Sequence, residues 1–382
     1  MVFVRHGLPG EVVVAEVTER TARYLRADAV EILEPAAERV VPRCPLAGPG
    51  GCGGCDYQHS ALAAQRDFKS TLIATQLRRV AGLDLPVEVE GLPGDDGFSW
   101  RTRVRFSVDE TGALGFHRHR DRTVVATPSC PIAAQGIEAL GLEQWRWNGA
   151  DSVEVTAHPS GDAAVVACTS RRGHEIDLPR IAGVGFSVDG EVRQRPAHTH
   201  IAIAGRRFAV SAGGFFQVHR AAAAVLHQAV LELAQVGPGD VAVDLYSGVG
   251  LFASALADLV GPKGKVVAVE RDAVAAETAR TNLADLPQVD VVTGDAGRLE
   301  ARGIRPAVVV CDPARRGLGR HGVDKIVELA PRRILSVSCD PATFARDLAL
   351  LSTAGYQLTA LRAIDLFPQT EHVELIGTLE QR

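Results

Sequence analysis

The sequence contains no uninterrupted apolar run near the ~20 residues that a membrane-spanning helix requires. Its first ten residues, MVFVRHGLPG, lack the apolar core of a secretory signal peptide, so we expect a cytoplasmic protein without membrane attachment. The chain also lacks the positive excess of many nucleic-acid-binding proteins, because its formal net charge is −5 at pH 7. Any surface that binds nucleic acid must therefore be local.

Cysteine is scarce, and seven cysteines in 382 residues without a secretion signal argue against a disulfide framework. Neither the two paired C-x2-C knuckles of structural zinc nor the C-x3-C-x2-C pattern of radical chemistry is present. Instead, three cysteines share one loop and a fourth lies further along: Cys44, Cys52, Cys55 and Cys130. This pattern is typical of a [4Fe–4S] site, so it predicts a cluster with a structural or nucleic-acid-facing role. Unliganded cysteines remain the alternative.

From about residue 206, apolar strands alternate with helical segments, which predicts a mainly parallel sheet covered on both faces. Ligands bind such sheets beyond the carboxyl ends of the strands. There, DLYSGVGLFA places Gly248 and Gly250 between a strand and a helix, and Glu270 ends the next strand, where it can accept ribose hydroxyls. Asp295 follows the third strand and is either an adenine ligand or a solvated carboxylate. The glycine spacing fits both a dinucleotide and S-adenosylmethionine (SAM).

Three chemically reactive side chains follow later strands of the same sheet. Asp312 lies in VVVCDPARRG, where a simple Asp-Pro turn is the alternative. Cys339 precedes Asp340 and Pro341, which can begin a helix whose N-terminal dipole favours a thiolate. A buried, inert cysteine is the alternative. Glu374 in HVEL is a candidate general base or a solvated carboxylate.

Taken together, the motifs resemble the SAM-dependent uracil-C5 RNA methyltransferases, the family that forms 5-methyluridine in tRNA and rRNA. The resemblance covers nearly the whole chain. In chain order, the matching stretches are FVRHGLPGE, CGGCDYQH, WRTRVRFSV, LGFHRHR, CPI, GGFFQV, DLYSGVGLFA, VVAVERD, CDPARRG, VSCDPATFARDL and DLFPQTEHVE.

The resemblance implies an α/β fold, with a class I SAM-methyltransferase, Rossmann-like doubly wound sheet, a β-rich central domain and a partial N-terminal OB-like (TRAM) barrel. We expect a truncated TRAM-like domain over residues 1–43, in which the first strands are missing. The central iron–sulfur and RNA-binding domain takes residues 44–60 and 96–205, and the methyltransferase domain takes 61–95 and 206–382. The chain departs from the family at Ser247, where a cysteine is common, and at Leu251, where many members have a polar residue.

The resemblance also assigns roles to individual residues. Cys339 is implied to be the nucleophile and Glu374 the base. The implied SAM site consists of Gln217, Tyr246, Gly248, Gly250, Glu270, Asp295 and Asp312. The implied cluster ligands are Cys44, Cys52, Cys55 and Cys130. The expected partner is rRNA or tRNA, and the expected state is a monomer.

This chemistry has a physical reason. Uracil C5 is a poor nucleophile, and a thiolate that adds to C6 makes it reactive toward the methyl group of SAM. A base must then remove the C5 proton, and the uridine must leave its stack to reach the site. Arg101, Arg103 and Arg105 share one strand face and, with HRHRDR at 117–122, offer local charge for RNA phosphates, although a solvated face is the alternative. The competing functions are an NAD-dependent oxidoreductase and a non-catalytic RNA-binding protein with a structural cluster.

Overall fold

The structure is a computed structural model that describes residues 1–127, 129–300 and 303–381. Over these residues the strands form four sheets, of three, seven, two and eight strands. No helix in the described ranges is both long enough and apolar enough to cross a bilayer.

The N-terminal sheet is small and open. Its strands are β1 (Val2–Arg5), β2 (Val12–Arg20) and β3 (Leu25–Glu34), in the order β1-β3-β2. Strand β1 is parallel to β3, and β2 is antiparallel to it. Few of its apolar side chains are buried, and several valines on all three strands are exposed. This sheet therefore contributes little core.

The central region is β-rich, as predicted. Its seven-stranded sheet has the order β11-β10-β9-β8-β5-β6-β7 and is joined by a separate hairpin of β12 and β13. The elements are β5 (Arg103–Val108), β6 (Leu114–His117), β7 (Val124–Ala126), α2 (Gln135–Glu138), β8 (Ala150–Thr156), β9 (Ala164–Ser170), β10 (Val184–Val188), β11 (Glu191–Gln194), β12 (His198–Ile203) and β13 (Arg206–Ser211). The alternation predicted from WRTRVRFSV is confirmed, because Val104, Phe106 and Val108 are buried.

The eight-stranded sheet has the order β16-β15-β14-β17-β18-β20-β19-β4. Its strands are β4 (Val89–Glu90), β14 (Val241–Leu245), β15 (Lys265–Glu270), β16 (Val289–Thr293), β17 (Val308–Cys311), β18 (Arg333–Ser338), β19 (Tyr356–Ile364) and β20 (Glu374–Gln381). Strands β14 to β18 are parallel to one another, whereas β20 runs antiparallel between β18 and β19.

Helices cover both faces of this sheet. They are α1 (Leu62–Gln76), which continues as a π-helical turn over Leu77–Ala81, α3 (Ala222–Leu233), α4 (Leu251–Val260), α5 (Ala273–Asn282), α6 (Gly319–Leu329) and α7 (Pro341–Thr353). Alternate residues of β17 separate the two cores: Val310 packs with α3 and α4, and Val309 packs with α1, α6 and α7. The predicted α/β class is confirmed.

Candidate active site

The glycine loop lies at the carboxyl end of β14, as the sequence predicted. Gly248 and Gly250 both have positive φ, of 54° and 94°. A Cβ added at Gly250 would lie 2.6 Å from a methyl carbon of Leu283, so the loop requires glycine there. Glu270, the last residue of β15, accepts a hydrogen bond from Gly248 N at 2.8 Å. Glu270 is therefore hydrogen-bonded directly to the glycine loop.

The other predicted SAM-site residues surround this loop at the same sheet edge. Tyr246 follows β14 and has a positive φ of 67°, and its half-buried phenol points toward Gly322 of α6. Burial raises the pKa of Tyr246 to about 12. Asp295 is exposed after β16, and its Oδ1 accepts a hydrogen bond from Gly297 N at 2.9 Å.

Asp244, inside β14, is a buried carboxyl group that the sequence analysis missed. It is 0% exposed, and neither side-chain oxygen has a hydrogen bond of normal geometry among the described residues. Burial raises the pKa of Asp244 well above its usual range, and the negative charges of Asp312 and Glu270 raise it further. The backbone N–H of Ala253 acts in the opposite direction and lowers the pKa. A charged residue inside VAVDL was the signal in the sequence. An orphaned carboxyl beneath a glycine loop is suited to a ligand that brings a positive charge or hydrogen-bond donors.

Cys339 and Glu374 are brought together by strand register. Cys339 follows the end of β18, and Glu374 begins β20. These antiparallel strands pair Ser338 with Leu375 at the end of their ladder, so Cys339 and Glu374 both adjoin that last pair. The negative charge of Glu374 acts on the Cys339 thiol, so the two side chains are close to each other.

Asp312 completes this group from the neighbouring strand. It follows β17, which pairs in parallel with β18 through Cys311 and Ser336. Gln217 Nε2 donates a hydrogen bond to Asp312 Oδ2 at 3.1 Å. The carboxyl ends of β17 and β18 and the start of β20 thus deliver an amide, two carboxyl groups and a thiol to one place.

The two carboxyl groups resist ionisation. Burial raises the pKa of Glu374, which is 3% exposed, well above its usual range, and the negative charge of Asp312 adds to the effect. Burial also raises the pKa of Asp312 to about 6, although the Gln217 hydrogen bond opposes the shift. A pair of this kind can hold and exchange a proton near neutral pH.

Helix α7 begins directly after Cys339, as predicted. Asp340 is its N-cap residue, and Asp340 Oδ1 accepts a hydrogen bond from Thr343 N at 2.7 Å. Pro341 occupies the first turn. The helix dipole by itself favours a thiolate at this position.

The surroundings of Cys339 nevertheless favour the thiol. Burial and the negative charges of Glu374 and Asp312 raise the pKa of Cys339 to about 11, and the positive charge of Arg315 opposes them only in part. The helix terminus alone therefore does not set the ionisation of this thiol, because burial and two carboxyl groups act against it. Cys339 is half-buried, so the alternative of an inert core cysteine does not describe it either.

The four upstream cysteines lie in one region. All are half-buried and none is in a disulfide bond: Cys44, Cys52, Cys55 and Cys130. Burial raises the pKa of Cys55 to about 12, and the charges of the other three act on the same thiol. Gln58 Nε2 donates a hydrogen bond to Cys55 Sγ at 3.2 Å, and Gly54 N donates one to Cys52 Sγ at 3.3 Å.

The predicted iron–sulfur cluster is not confirmed. Within residues 1–127, 129–300 and 303–381, no three His, Cys, Asp or Glu side chains form a group that could hold a metal ion. Four free thiols with N–H donors directed at two of them do fit the chemistry of a cluster. The cluster therefore stays a prediction.

The basic segment at 117–122 packs against the cysteine loop. Gly53 N donates a hydrogen bond to His117 O at 3.1 Å, and Cys52 forms an isolated bridge with Arg118. A Cβ at Gly53 would lie 2.7 Å from His119 N, so glycine permits this close approach. The arginines of the segment are exposed, which leaves their charges available to a partner.

Two of the three arginines on the face of β5 that the sequence offered for RNA are bound to side chains of the protein itself. Arg103 forms an ion pair with Glu154 at 2.8 Å, and Arg105 donates a hydrogen bond to Ser152 Oγ at 3.1 Å. Burial lowers the pKa of Arg101, while the charges of Cys130 and Cys55 raise it. Arg101 therefore faces the cysteine region.

Comparison with known families gives three matches along the chain. Residues 1–30 match the TRAM domain, residues 210–301 match protein-L-isoaspartate(D-aspartate) O-methyltransferase, and residues 297–382 match tRNA (uracil-5-)-methyltransferase. The order agrees with the resemblance found in the sequence. The matches favour a methyltransferase over an NAD-dependent oxidoreductase.

Individual proteins agree with these matches. An uncharacterized RNA methyltransferase of Streptomyces avermitilis is 43% identical over 100% of this chain and 93% of the relative. The 23S rRNA (uracil(1939)-C(5))-methyltransferase RlmD of Aeromonas hydrophila is 29% identical over 100% of this chain and 91% of that relative.

A solved structure gives the fold. The Pyrococcus abyssi tRNA (uracil-54, C5)-methyltransferase, in complex with S-adenosyl-L-homocysteine, superimposes with a TM-score of 0.74 at 22% identity, covering 98% of this chain and 95% of that one. The predicted class I SAM-methyltransferase fold is thereby confirmed. Together with the relatives, these findings show that the chain belongs to the RNA uracil-C5 methyltransferase family.

Proposed function

We propose that this RNA uracil-C5 methyltransferase uses SAM to methylate a uridine of rRNA or tRNA through a covalent bond between Cys339 and uracil C6. Glu374 is the base that removes the C5 proton. The observation that supports the proposal is that Cys339 and Glu374 both adjoin Ser338–Leu375, the last pair of the β18–β20 ladder, where the charge of Glu374 acts on the Cys339 thiol. A thiol and a carboxyl group therefore lie close together, beside the Asp312 side chain that Gln217 holds through a hydrogen bond.

The edge of the sheet fits SAM. The glycine loop and Glu270 suit the ribose, and exposed Asp295 is placed for the adenine edge. The orphaned carboxyl of Asp244 supports a ligand that brings positive charge or donors to the loop. When bound, SAM supplies an electrophilic methyl group on a positively charged sulfonium.

The protein's own groups move two protons in this scheme. Cys339 is a thiol in the free protein, so its proton must pass to the Asp312 carboxylate as sulfur attacks C6, which leaves Glu374 able to accept the second proton. After methyl transfer, Glu374 must accept the C5 proton, whose bonding electrons re-form the C5–C6 double bond and expel the Cys339 sulfur. The raised pKa of Glu374 makes that carboxylate a better base than an exposed glutamate.

Asp312 and Gln217 are placed to hold the uracil. Gln217 fixes the orientation of Asp312 through the 3.1 Å hydrogen bond, and a pKa of about 6 lets Asp312 act as acceptor or donor near neutrality. A uridine that reaches this pocket must be flipped out of its stack. The exposed basic segment at 117–122 is suited to the flanking phosphates.

A [4Fe–4S] cluster, if bound, would be held by Cys44, Cys52, Cys55 and Cys130. It would cross-link the loop to the β-rich region and supply no part of the methyl transfer. Iron and sulfide analysis of protein purified without oxygen tests this assignment. Four iron atoms per chain are expected, and fewer than one in the Cys55→Ala variant.

The mechanism is tested by trapping its intermediate. Glu374→Gln should form the Cys339–C6 bond and transfer the methyl group but fail to remove the proton. A protein–RNA complex stable to denaturing electrophoresis should therefore accumulate when the variant is mixed with SAM and unmodified tRNA or 23S rRNA transcripts.

The matched control is Glu374→Gln combined with Cys339→Ala. This double variant should form no complex, because the sulfur that makes the bond is gone. A complex that survives in the double variant, or none in Glu374→Gln while that variant still binds SAM, would rule out the assigned roles.

A further inference from the structure

The loop at residues 365–373 carries the chain from β19 into β20 and delivers Glu374 to the site. Within it, Gln369 has φ of 70°, a left-handed conformation that is uncommon for any residue except glycine. Gln369 is also 4% exposed. Such a conformation persists only where the surroundings hold it, so the contacts of this loop are informative.

Two side chains of α1 hold the loop. Gln65 and Gln369 make a reciprocal pair: Gln65 Nε2 donates to Gln369 Oε1 at 3.0 Å, and Gln369 N donates to Gln65 Oε1 at 2.9 Å. One turn along the helix, Lys69 Nζ donates to Asp365 Oδ1 at 2.6 Å and to Phe367 O at 3.0 Å. The helix therefore contacts the loop at its first, third and fifth residues.

The cysteine loop holds the same segment from another side. The backbone N–H groups of Asp56 and Tyr57 both donate to Gln369 O, at 2.8 and 3.0 Å. Glu371 N donates to Asp56 Oδ2 at 3.3 Å. Gln65 Nε2 also lies 3.0 Å from Tyr57 O, so one amide joins the cysteine loop to the loop before Glu374.

Stability alone does not explain polar residues at these positions. Gln65, Lys69 and Ile73 are spaced by four residues on one stripe of α1, and all three are 0% exposed. Ile73 belongs to the same apolar cluster as Val89 and Ala363, whereas Gln65 and Lys69 bind polar groups of the loop. Replacing a buried ion pair by packed apolar residues is often neutral or stabilising. Their polarity instead defines where the loop lies.

From these contacts we infer that Gln65 and Lys69 are positioning residues for Glu374. They hold residues 365–369 so that the carboxylate meets the C5 proton, and they touch neither the uridine nor SAM. The inference rests on the proposed role of Glu374. Their loss should therefore slow proton removal more than it slows formation of the Cys339–C6 bond.

The test compares Gln65→Leu and the double variant Lys69→Met/Asp365→Leu with wild type, on two RNAs. With uridine transcripts, both variants should accumulate the covalent protein–RNA complex at least tenfold above wild type, with turnover at least tenfold lower. With 5-fluorouridine transcripts no C5 proton exists to be removed, so complex formation should match wild type within twofold. The dissociation constant for SAM should also stay within twofold.

Ile73→Ala is the matched control, since it weakens the same stripe of α1 without touching the loop. It should not accumulate the complex, even where its thermal stability falls as far as that of Gln65→Leu. Equal accumulation in Ile73→Ala, or wild-type levels in both polar variants, would overturn the inference. Glu374→Gln is run alongside: if it traps the complex and the α1 variants do not, the positioning role is wrong and the proposed mechanism stands.

Discussion

Two buried polar regions lie side by side in this protein and are built in opposite ways. Around the loop at residues 365–373, polar groups are paired: Lys69 with Asp365, Gln65 with Gln369, and His219 with Asp95 at 2.9 Å. At the site itself, carboxyl groups crowd together instead. The side chains of Asp244, Asp312 and Glu374 form no ion pair among the residues described, and three separate strands bring them there.

This difference separates scaffold from site. A buried polar group without a partner costs stability, and proteins retain such groups where a ligand supplies what is missing. Paired groups fix geometry instead. We therefore expect substitutions in the unpaired region to abolish activity at little cost to folding, and substitutions in the paired region to cost folding first.

The largest expected effect belongs to Cys339. Cys339→Ala should lower methyl transfer to RNA by more than about 10⁴-fold, because no other group can activate C5. The temperature of unfolding should not fall, since the thiol is half-buried beside two carboxyl groups. Radiolabelled SAM incorporation and calorimetry measure the two quantities, and an equal loss of stability would contradict the distinction.

In the paired region, Lys69→Met should destabilise the protein by about 3–5 kcal/mol, because it leaves Asp365 charged and buried alone. The second oxygen of Asp365 already has no hydrogen-bond partner among the described atoms. Urea unfolding followed by circular dichroism gives the free energy. Lys69→Met/Asp365→Leu is the matched variant and should recover most of the loss.

Asp244→Asn should stabilise the SAM-free protein by about 1–3 kcal/mol at pH 8, because it removes an unpartnered buried carboxyl. The folded-state pKa of Asp244 is raised, so wild type loses stability as pH rises from about 4 toward that pKa. The advantage of the variant should accordingly shrink toward pH 4. Thermal unfolding of both proteins between pH 4 and pH 8 checks whether the stability advantage of the variant grows as pH rises. Binding of SAM should weaken in the same variant.

The smallest effect concerns the RNA surface. Arg118→Gln/Arg120→Gln should flatten the slope of log binding constant against log salt concentration by about 1–2, as expected for loss of up to two phosphate contacts. Fluorescence anisotropy over a potassium chloride series measures it. The control is Arg193→Gln on β11, at the opposite edge of the seven-stranded sheet, which should leave the slope unchanged.

Sequence reasoning reached the parts of the site that lie next to a recognisable local pattern. The glycine loop, the helix after Cys339 and the strand that ends at Glu270 were each predicted, because turn and capping residues act over a few positions. Asp244 was missed because its importance comes from the absence of partners, which only packing reveals. The pairing of Gln65 with Gln369 joins residues 304 apart and has no local signal.

The surroundings of Cys339 show the same limit of local patterns. Asp340 and Pro341 predict a helix terminus from neighbouring residues alone. The carboxyl groups that raise the thiol pKa, Asp312 and Glu374, lie at the ends of β17 and β20, which pair with β18 on either side. The roles of individual site residues remain predictions that the experiments above address, and the assignment of residues to domains remains a prediction.

The position of β20 has a consequence for the order in which the molecule is made. This strand lies between β18 and β19 in the sheet, although it follows both in the chain. Helix α1 must wait for its loop partner across 296 residues, which at cellular synthesis rates takes roughly 15–60 s. During that interval Lys69 lacks its partner Asp365, and Cys339, once made, lacks Glu374 until 35 more residues follow. Under the proposed mechanism, the site is therefore complete only when the last strand of the chain is inserted between two strands made before it.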